Sequence, residues 1–293
     1  MQIESITAQK EKRKVAFISV LAAIFITVGK LIIGLMTGSL GILSEALHSA
    51  LDFVAAVITY FAVKVSAKPA DKEHPYGHGK FENLSASIET LLLLVTCIWI
   101  IYEAIHRLLS GKMVIEVTKW SYIVVIASII IDYSRSRALM KAAKKYNSQA
   151  LEADALHFST DIYSSIVVLI GLVCANYHVY IADSIAALIV AAIVIFIAYR
   201  IGKQSIDVLL DKTSPEMIKK VNKILKDLPG IHTFHDVKIR TSGAYTFVDL
   251  NIHVASHITI EEAHQISTNV EETICNAIER CEVHVHAEPE EAH

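Results

Sequence analysis

Hydrophobic positions in this 293-residue chain gather into six long runs, approximately residues 15–36, 40–65, 84–108, 120–139, 151–177 and 179–206. Each has roughly the 20 apolar residues that a helix needs to cross a bilayer core of about 30 Å. The pattern therefore predicts an all-α, six-helix transmembrane domain over residues 1–212. Beyond it the periodicity changes. Ser214-Pro215-Glu216 reads as a helix start, followed by an apolar stripe of Met217, Val221, Ile224, Leu225 and Leu228 that Pro229-Gly230 ends. Val237 and Ile239, then Phe247, Val248, Leu250, Ile252 and Val254, read as two strands across a Ser242-Gly243 turn. A second helix follows Thr259, and residues 282–287 alternate as a last strand. This αββαβ order predicts a small α+β, ferredoxin-like domain over residues 213–293 with its helices on one sheet face.

Charge follows the same division. Only 19% of the residues are charged and 53% are hydrophobic, against roughly 25% charged in ordinary soluble domains. Residues 1–212 carry 20 Lys+Arg and 17 Asp+Glu, while residues 213–293 carry 7 and 13. A soluble enzyme is excluded for the first part, and the acidic tail reads as a solvated domain. The apolar run that follows Lys10, Lys12, Arg13 and Lys14 is too long for the core of a signal peptide, so it is expected to be an uncleaved first span. With a cytoplasmic N-terminus, sixteen Lys and Arg in the connections face the inside and only Arg107, Lys112 and Lys119 face outward. Both termini, and the tail with them, are expected in the cytoplasm. Cys97 and Cys174 are read as packing residues within spans, and Cys275 and Cys281 as packing residues of the tail.

Two spans carry groups that hydrocarbon should exclude. Span two reads Glu45-Ala46-Leu47-His48-Ser49-Ala50-Leu51-Asp52, and span five reads Asp154-Ala155-Leu156-His157-Phe158-Ser159-Thr160-Asp161. In each, His and Asp stand four residues apart and stack on one helix face. An aspartate at the centre of a membrane helix costs about 2.5–3.5 kcal/mol on insertion scales, so two such clusters require compensation. Two imidazoles and two carboxylates form the tetrahedral donor set typical of Zn2+. The plainer reading, a pair of His–Asp hydrogen bonds that glue helices, does not require the same spacing twice. Histidine titrates near about 6.5 and metal needs deprotonated ligands, so protons and metal compete for these atoms. Glu45 and Asp154 read either as a cation funnel or as solvated helix ends.

A loop follows span two with Asp71-Lys72-Glu73-His74-Pro75-Tyr76-Gly77-His78-Gly79-Lys80-Phe81-Glu82. This segment, two intramembrane His-x-x-x-Asp pairs, six spans and a soluble tail together resemble the cation diffusion facilitators. The similarity covers nearly the whole chain and points to the zinc-transporting branch, of the bacterial ferrous-iron/zinc efflux pump type. The manganese branch usually has Asp or Asn at the His positions.

The resemblance implies a homodimer in the inner membrane that exports divalent metal from the cytoplasm in exchange for protons. Zn2+ is the expected cargo, with Co2+, Cd2+ or Fe2+ as further candidates, and protons and membrane lipid are the other expected partners. It implies a transport site at His48, Asp52, His157 and Asp161, and a loop site at Asp71, His74 and His78. A tail site is implied at His235, His264 and His286, with Glu288 where an Asp is common. Asn251 stands where the family often has His, and His253 on the same strand face offers a substitute. No enzymatic reaction and no nucleic-acid partner are expected. Two other classes use the same residues: a zinc-responsive sensor or scaffold without transport, and an intramembrane metalloenzyme. The second would need an open metal position and a general base, and there is no HExxH motif.

The remaining intramembrane polar groups form no repeated constellation. Lys30 is expected to snorkel from the outer half of span one. Glu89, Glu103, Asp132 and Asp183 read as packing or interfacial residues. Lys80 and Asp211 are candidates for an ion pair at the inner surface.

Overall fold

The computed structural model describes residues 2–37, 40–110, 119–176 and 181–290. Six long helices precede the tail: α1 (Gln2–Thr37), α2 (Leu40–Ser66), α3 (Phe81–Ser110), α4 (Lys119–Tyr146), α5 (Gln149–Asn176) and α6 (Ile181–Leu209). The tail follows in the order α7 (Pro215–Asp227), β1 (Thr233–Ser242), β2 (Tyr245–Val254), α8 (Ile260–Ala277) and β3 (Cys281–Pro289). The expected junction of the fifth and sixth spans, Tyr177 to Val179, lies outside the described residues, as do the side chains of Glu45, Cys174 and Asp183. The chain forms two compact units, one of Met1–Lys68 with Phe81–Ser205 and one of Pro69–Lys80 with Ile206–His293.

In the first unit, small residues let the helices approach closely. Ala16 and Ala23 of α1, Ala56 and Ala62 of α2, Ala142 and Ala143 of α4 and Ala150 and Ala155 of α5 share one buried cluster with Leu139, Leu151 and Phe158. Leu93 and Cys97 of α3 pack on Val190, Val194 and Ala198 of α6. The outward faces stay apolar, with Phe25, Leu91, Trp99 and Phe196 all more than 60% exposed, as a lipid-facing surface requires. Among the described residues, four segments are long and apolar enough to cross a membrane: Thr7–Ile33, His48–Ser66, Phe81–His106 and Ala187–Leu209. α4 falls short in composition, because Asp132, Arg135 and Arg137 interrupt it. Asp132, Arg135 and Asp154 are buried, whereas Arg137 is exposed.

The second unit has a three-stranded sheet in the order β1-β2-β3, with β1 and β2 antiparallel and β2 and β3 parallel. A parallel neighbour needs a crossover connection, and α8 supplies it. Val221 and Leu225 of α7 and Val270 and Ile274 of α8 bury their stripes against Ile239, Val248, Leu250 and Ile252. Ser214 stands at the N-cap of α7 without a side-chain bond, so Pro215 at the first helical position is the effective start signal. α8 has a full capping box: the Thr259 hydroxyl accepts from the Glu262 N–H, and the Thr259 N–H donates to the Glu262 carboxylate. Those bonds hold the Glu262 carboxyl below its ordinary value. Thr259→Ala is expected to cost about 1 kcal/mol, read as a lower midpoint for tail unfolding.

The β1–β2 register contains a bulge between His235 and Lys238, where Asp236 takes a φ of 52°. Across the sheet His235 pairs with Asn251 and Asn251 with His286, while His253 pairs with Glu288. The strands therefore bring four of the five expected tail ligands to neighbouring positions.

Candidate metal centre

The two His-x-x-x-Asp faces meet between α2 and α5. His157 Nε2 lies 3.1 Å from Asp52 Oδ1 and 3.7 Å from Asp161 Oδ2. His48 Nε2 lies 3.9 Å from Asp52 Oδ1 and 3.6 Å from Asp161 Oδ1. Each imidazole thus stands against both carboxylates. With one donor atom from each residue, His48, Asp52 and Asp161 come within 4.8 Å of one another, while His157 meets Asp161 through its other oxygen. Asp52 and His157 are buried. Neither His157 Nδ1 nor Asp161 Oδ2 makes a hydrogen bond, so the donors are incompletely satisfied by one another.

The surrounding cavity is lined by Lys30, Ser49, Asp132 and Arg135 as well as by His48, Asp52 and Asp161. Two of these differ from the expectations. Lys30 does not snorkel: it is 7% exposed and donates to Ser49 Oγ at 2.9 Å. Arg135, one of the sixteen Lys and Arg expected in connections on the inner side, is 6% exposed. Its guanidinium bonds Asp132 at 3.4 Å and Ser19 at 3.1 Å and stacks over the Phe158 ring at 3.5 Å. Asp154 is no solvated helix end either, being fully buried and accepting from the Ser19 hydroxyl at 3.3 Å. Glu89 takes the packing role expected of it, accepting from Thr59 of α2 and from Ser85 at 3.0 Å.

The loop trio also converges. One oxygen of Asp71 accepts from the backbone N–H groups of Glu73 (3.0 Å) and His74 (2.7 Å) and lies 3.3 Å from His74 Nδ1. The other oxygen is 3.5 Å from His78 Nε2, and His78 Nδ1 sits 3.2 Å from the Pro69 carbonyl. The two rings are 4.4 Å apart. The His74 N–H holds the Asp71 carboxyl below its ordinary value, so Asp71 stays an anion, able to serve as a metal ligand, to lower pH than a free aspartate. Gly77, at a φ of 72°, donates its N–H to the His74 carbonyl and closes the turn.

This loop packs on the tail hairpin. Tyr76 meets Phe247 edge-on at 5.2 Å and lies beneath the Arg240 guanidinium at 3.9 Å. Lys80 bonds Asp211 at 2.7 Å, the ion pair expected from the sequence. A Cβ at Gly79 would collide with the backbone of Ser242 and Gly243. Gly79→Ala is therefore expected to lift the loop from the hairpin, read as faster protease cleavage within residues 69–80.

In the tail, His235, His253 and Glu288 place one donor each within 4.8 Å of one another. His286 Nε2 is 3.5 Å from Glu288 but lies on the exposed edge of the group. Asn251, in the middle of the row, donates to Glu288 at 3.1 Å, so it orients the carboxylate. His264, an expected ligand, is exposed on α8 and belongs to none of the three-donor groups among the described residues. Its helix faces the sheet with Val270 and Ile274, which leaves His264 on the outer face. Burial pushes the Cys281 thiol up to about 12, and Cys275 Sγ donates to the Cys281 carbonyl at 3.2 Å. The raised Cys281 thiol is a poor metal ligand, since a thiolate binds metal readily and a thiol does not.

Comparison with known proteins matches both parts of the chain. Residues 16–210 match the cation efflux transmembrane domain, and residues 213–290 match the cytoplasmic domain of cation efflux proteins. An uncharacterised transporter of Methanocaldococcus jannaschii is 33% identical over 94% of this chain and 98% of its own. The manganese efflux system protein MneP of Bacillus subtilis is 30% identical over 89% and 90%. The cation-efflux pump FieF of Shewanella oneidensis is 28% identical over 92% of each. The matched cytoplasmic domain is the family's dimerisation domain and indicates a homodimer, and the transmembrane match makes the chain a multi-pass membrane protein. With both of its domains matched over nearly their full length, the chain belongs to the cation efflux, or cation diffusion facilitator, family of metal cation transporters.

Proposed function

We propose that the protein is a proton-coupled antiporter of the inner membrane that exports Zn2+ from the cytoplasm through His48, Asp52, His157 and Asp161. Six spans with both termini inside put the tail in the cytoplasm. The observation that carries this reading is the approach of both imidazoles to both carboxylates, at 3.1–3.9 Å, between α2 and α5. Proton coupling follows from the ligand chemistry: an imidazole that binds a proton has lost its metal lone pair. Metal then leaves on the outer side as protons load His48 and His157.

Asp71, His74 and His78 form a second, modulatory site, and His235, His253, Glu288 and His286 a regulatory one whose occupancy adjusts transport to cytoplasmic metal. Co2+, Cd2+ and Fe2+ are further candidate cargoes. Manganese is the second reading, favoured by the 30% identity to a manganese efflux protein. The two imidazoles argue for zinc, since Mn2+ favours carboxylate, carbonyl and water ligands in octahedral geometry.

The deciding experiment is parallel flux of Zn2+, Mn2+, Co2+, Cd2+ and Fe2+ in proteoliposomes with and without a proton gradient. Zn2+ flux that depends on the gradient and disappears in His157→Ala is the expected result. Gradient-independent flux overturns the coupling, Mn2+ preference overturns the zinc assignment, and full flux in His157→Ala overturns the site.

A further inference from the structure

The cavity lined by three of the four metal donors, His48, Asp52 and Asp161, is also lined by a lysine. Lys30 comes from α1, which contributes no donor, and its side chain is 7% exposed in a cavity that His48, Asp52 and Asp161 also line. Its ammonium donates to Ser49 Oγ at 2.9 Å, and both Asp52 and Asp132 lie within its electrostatic reach. The second cation of the cavity, Arg135, has its own carboxylate in Asp132 at 3.4 Å and a ring beneath it in Phe158. With Arg135 balanced in this way, Lys30 stands beside Asp52 of the donor set, with Asp161 on the wall of the same cavity.

We infer that Lys30 is a resident cation of the transport cavity, which offsets part of the acidic charge when cargo is absent and repels the divalent ion when cargo is bound. This rests on the reading of His48, Asp52, His157 and Asp161 as the transport site. Counted with neutral imidazoles, Asp52, Asp161 and Lys30 leave the empty site at −1 and the loaded one at +1. Without Lys30 the same states are −2 and 0. Two like charges within one cavity interact strongly at the low effective dielectric of a buried site, so the lysine weakens cargo binding and speeds cargo release. An exporter gains from this, because an ion held too tightly by four protein ligands does not leave. Fixing the ammonium on Ser49, one residue from His48, keeps it close to the ion without making it a ligand, since an ammonium has no lone pair to give.

The test is Zn2+ flux in proteoliposomes of the full-length protein, with the half-saturating concentration and the maximal rate measured separately. Lys30→Met is expected to lower the half-saturating Zn2+ concentration by about tenfold or more and to lower the maximal rate with it. Lys30→Arg, which keeps the charge, should stay within about twofold of the wild-type protein on the same electrostatic argument. Lys30→Gln keeps a donor for Ser49 without the charge and should follow Lys30→Met; it also serves if Lys30→Met does not fold. Ser49→Ala removes the hydrogen bond and leaves the charge, and should not tighten Zn2+ binding. An unchanged or raised half-saturating concentration in the folded Met or Gln variant overturns the inference, as does tightening in Ser49→Ala equal to that in Lys30→Met. His157→Ala in the same vesicles separates the two ideas. If it transports like the wild-type protein the site assignment fails, whereas if it is inactive and Lys30→Met binds no tighter, only the role of Lys30 fails.

Discussion

Metal flux through Asp52→Asn is expected to fall by at least about 100-fold, since even the outer partners of metal ligands typically cost 10–100-fold when removed. Asp52 is the carboxylate nearest His157, at 3.1 Å, and stands 3.9 Å from His48. The substitution keeps the size of the side chain and removes the anionic donor, so helix packing is preserved while the ion loses one of four ligands and half of the carboxylate charge. Asn also leaves a buried imidazole without the anion that accepts from it when it is protonated, and the proton half of the exchange suffers with the metal half. Ser165→Ala provides the comparison: Ser165 lines the same cavity but is no part of the donor set, and its flux should stay near that of the wild-type protein. Both variants are to be reconstituted at matched density and checked for dimer retention by size exclusion. Asp52→Asn flux equal to that of Ser165→Ala would show that the ion passes elsewhere.

The His48, Asp52, His157 and Asp161 constellation was legible in the sequence because its ligands lie four apart on single helices, where the helical repeat decides which groups share a face. The register of the tail sheet was partly legible for the same reason, through the period of two in β2 and β3. His264 was placed in the tail set by resemblance alone, and no local periodicity says that α8 turns Val270 and Ile274 toward the sheet and leaves His264 exposed. The partners of Asp154, Lys30 and Arg135 were invisible for a different reason. Ser19 lies 135 positions from Asp154 and Ser49 lies 19 from Lys30, so pairing depends on which helices touch. A charged residue in an apolar run announces that it has a partner, and only packing names it. The same holds for the loop of residues 69–80, whose Tyr76 rests on Phe247 and Arg240 from the far end of the chain.

The largest expected loss of stability comes from Glu82, the last acid of the loop motif. Its carboxylate accepts from the Lys12 ammonium at 2.6 Å, from the Ser66 hydroxyl at 2.9 Å and from the Ser148 hydroxyl. One side chain of α3 thereby ties α1, α2 and the residue that precedes α5. Lys12 and Glu82 are 5% and 2% exposed, and breaking a buried pair from one side typically costs about 3–5 kcal/mol because it strands the other charge. Glu82→Ala should show that cost in full, since the ammonium loses its carboxylate and the two hydroxyls lose their common acceptor. Lys12→Met should cost less, because Glu82 retains both hydroxyl donors. The double variant Lys12→Met/Glu82→Leu should recover much of the loss, since a well-packed apolar pair of similar volume is often neutral against a buried ion pair. Thermal unfolding of the purified protein in detergent, followed by loss of dimer, gives the order. A double variant as unstable as Glu82→Ala alone would mean that the hydroxyl contacts of Glu82, more than its pairing with Lys12, hold these helices together.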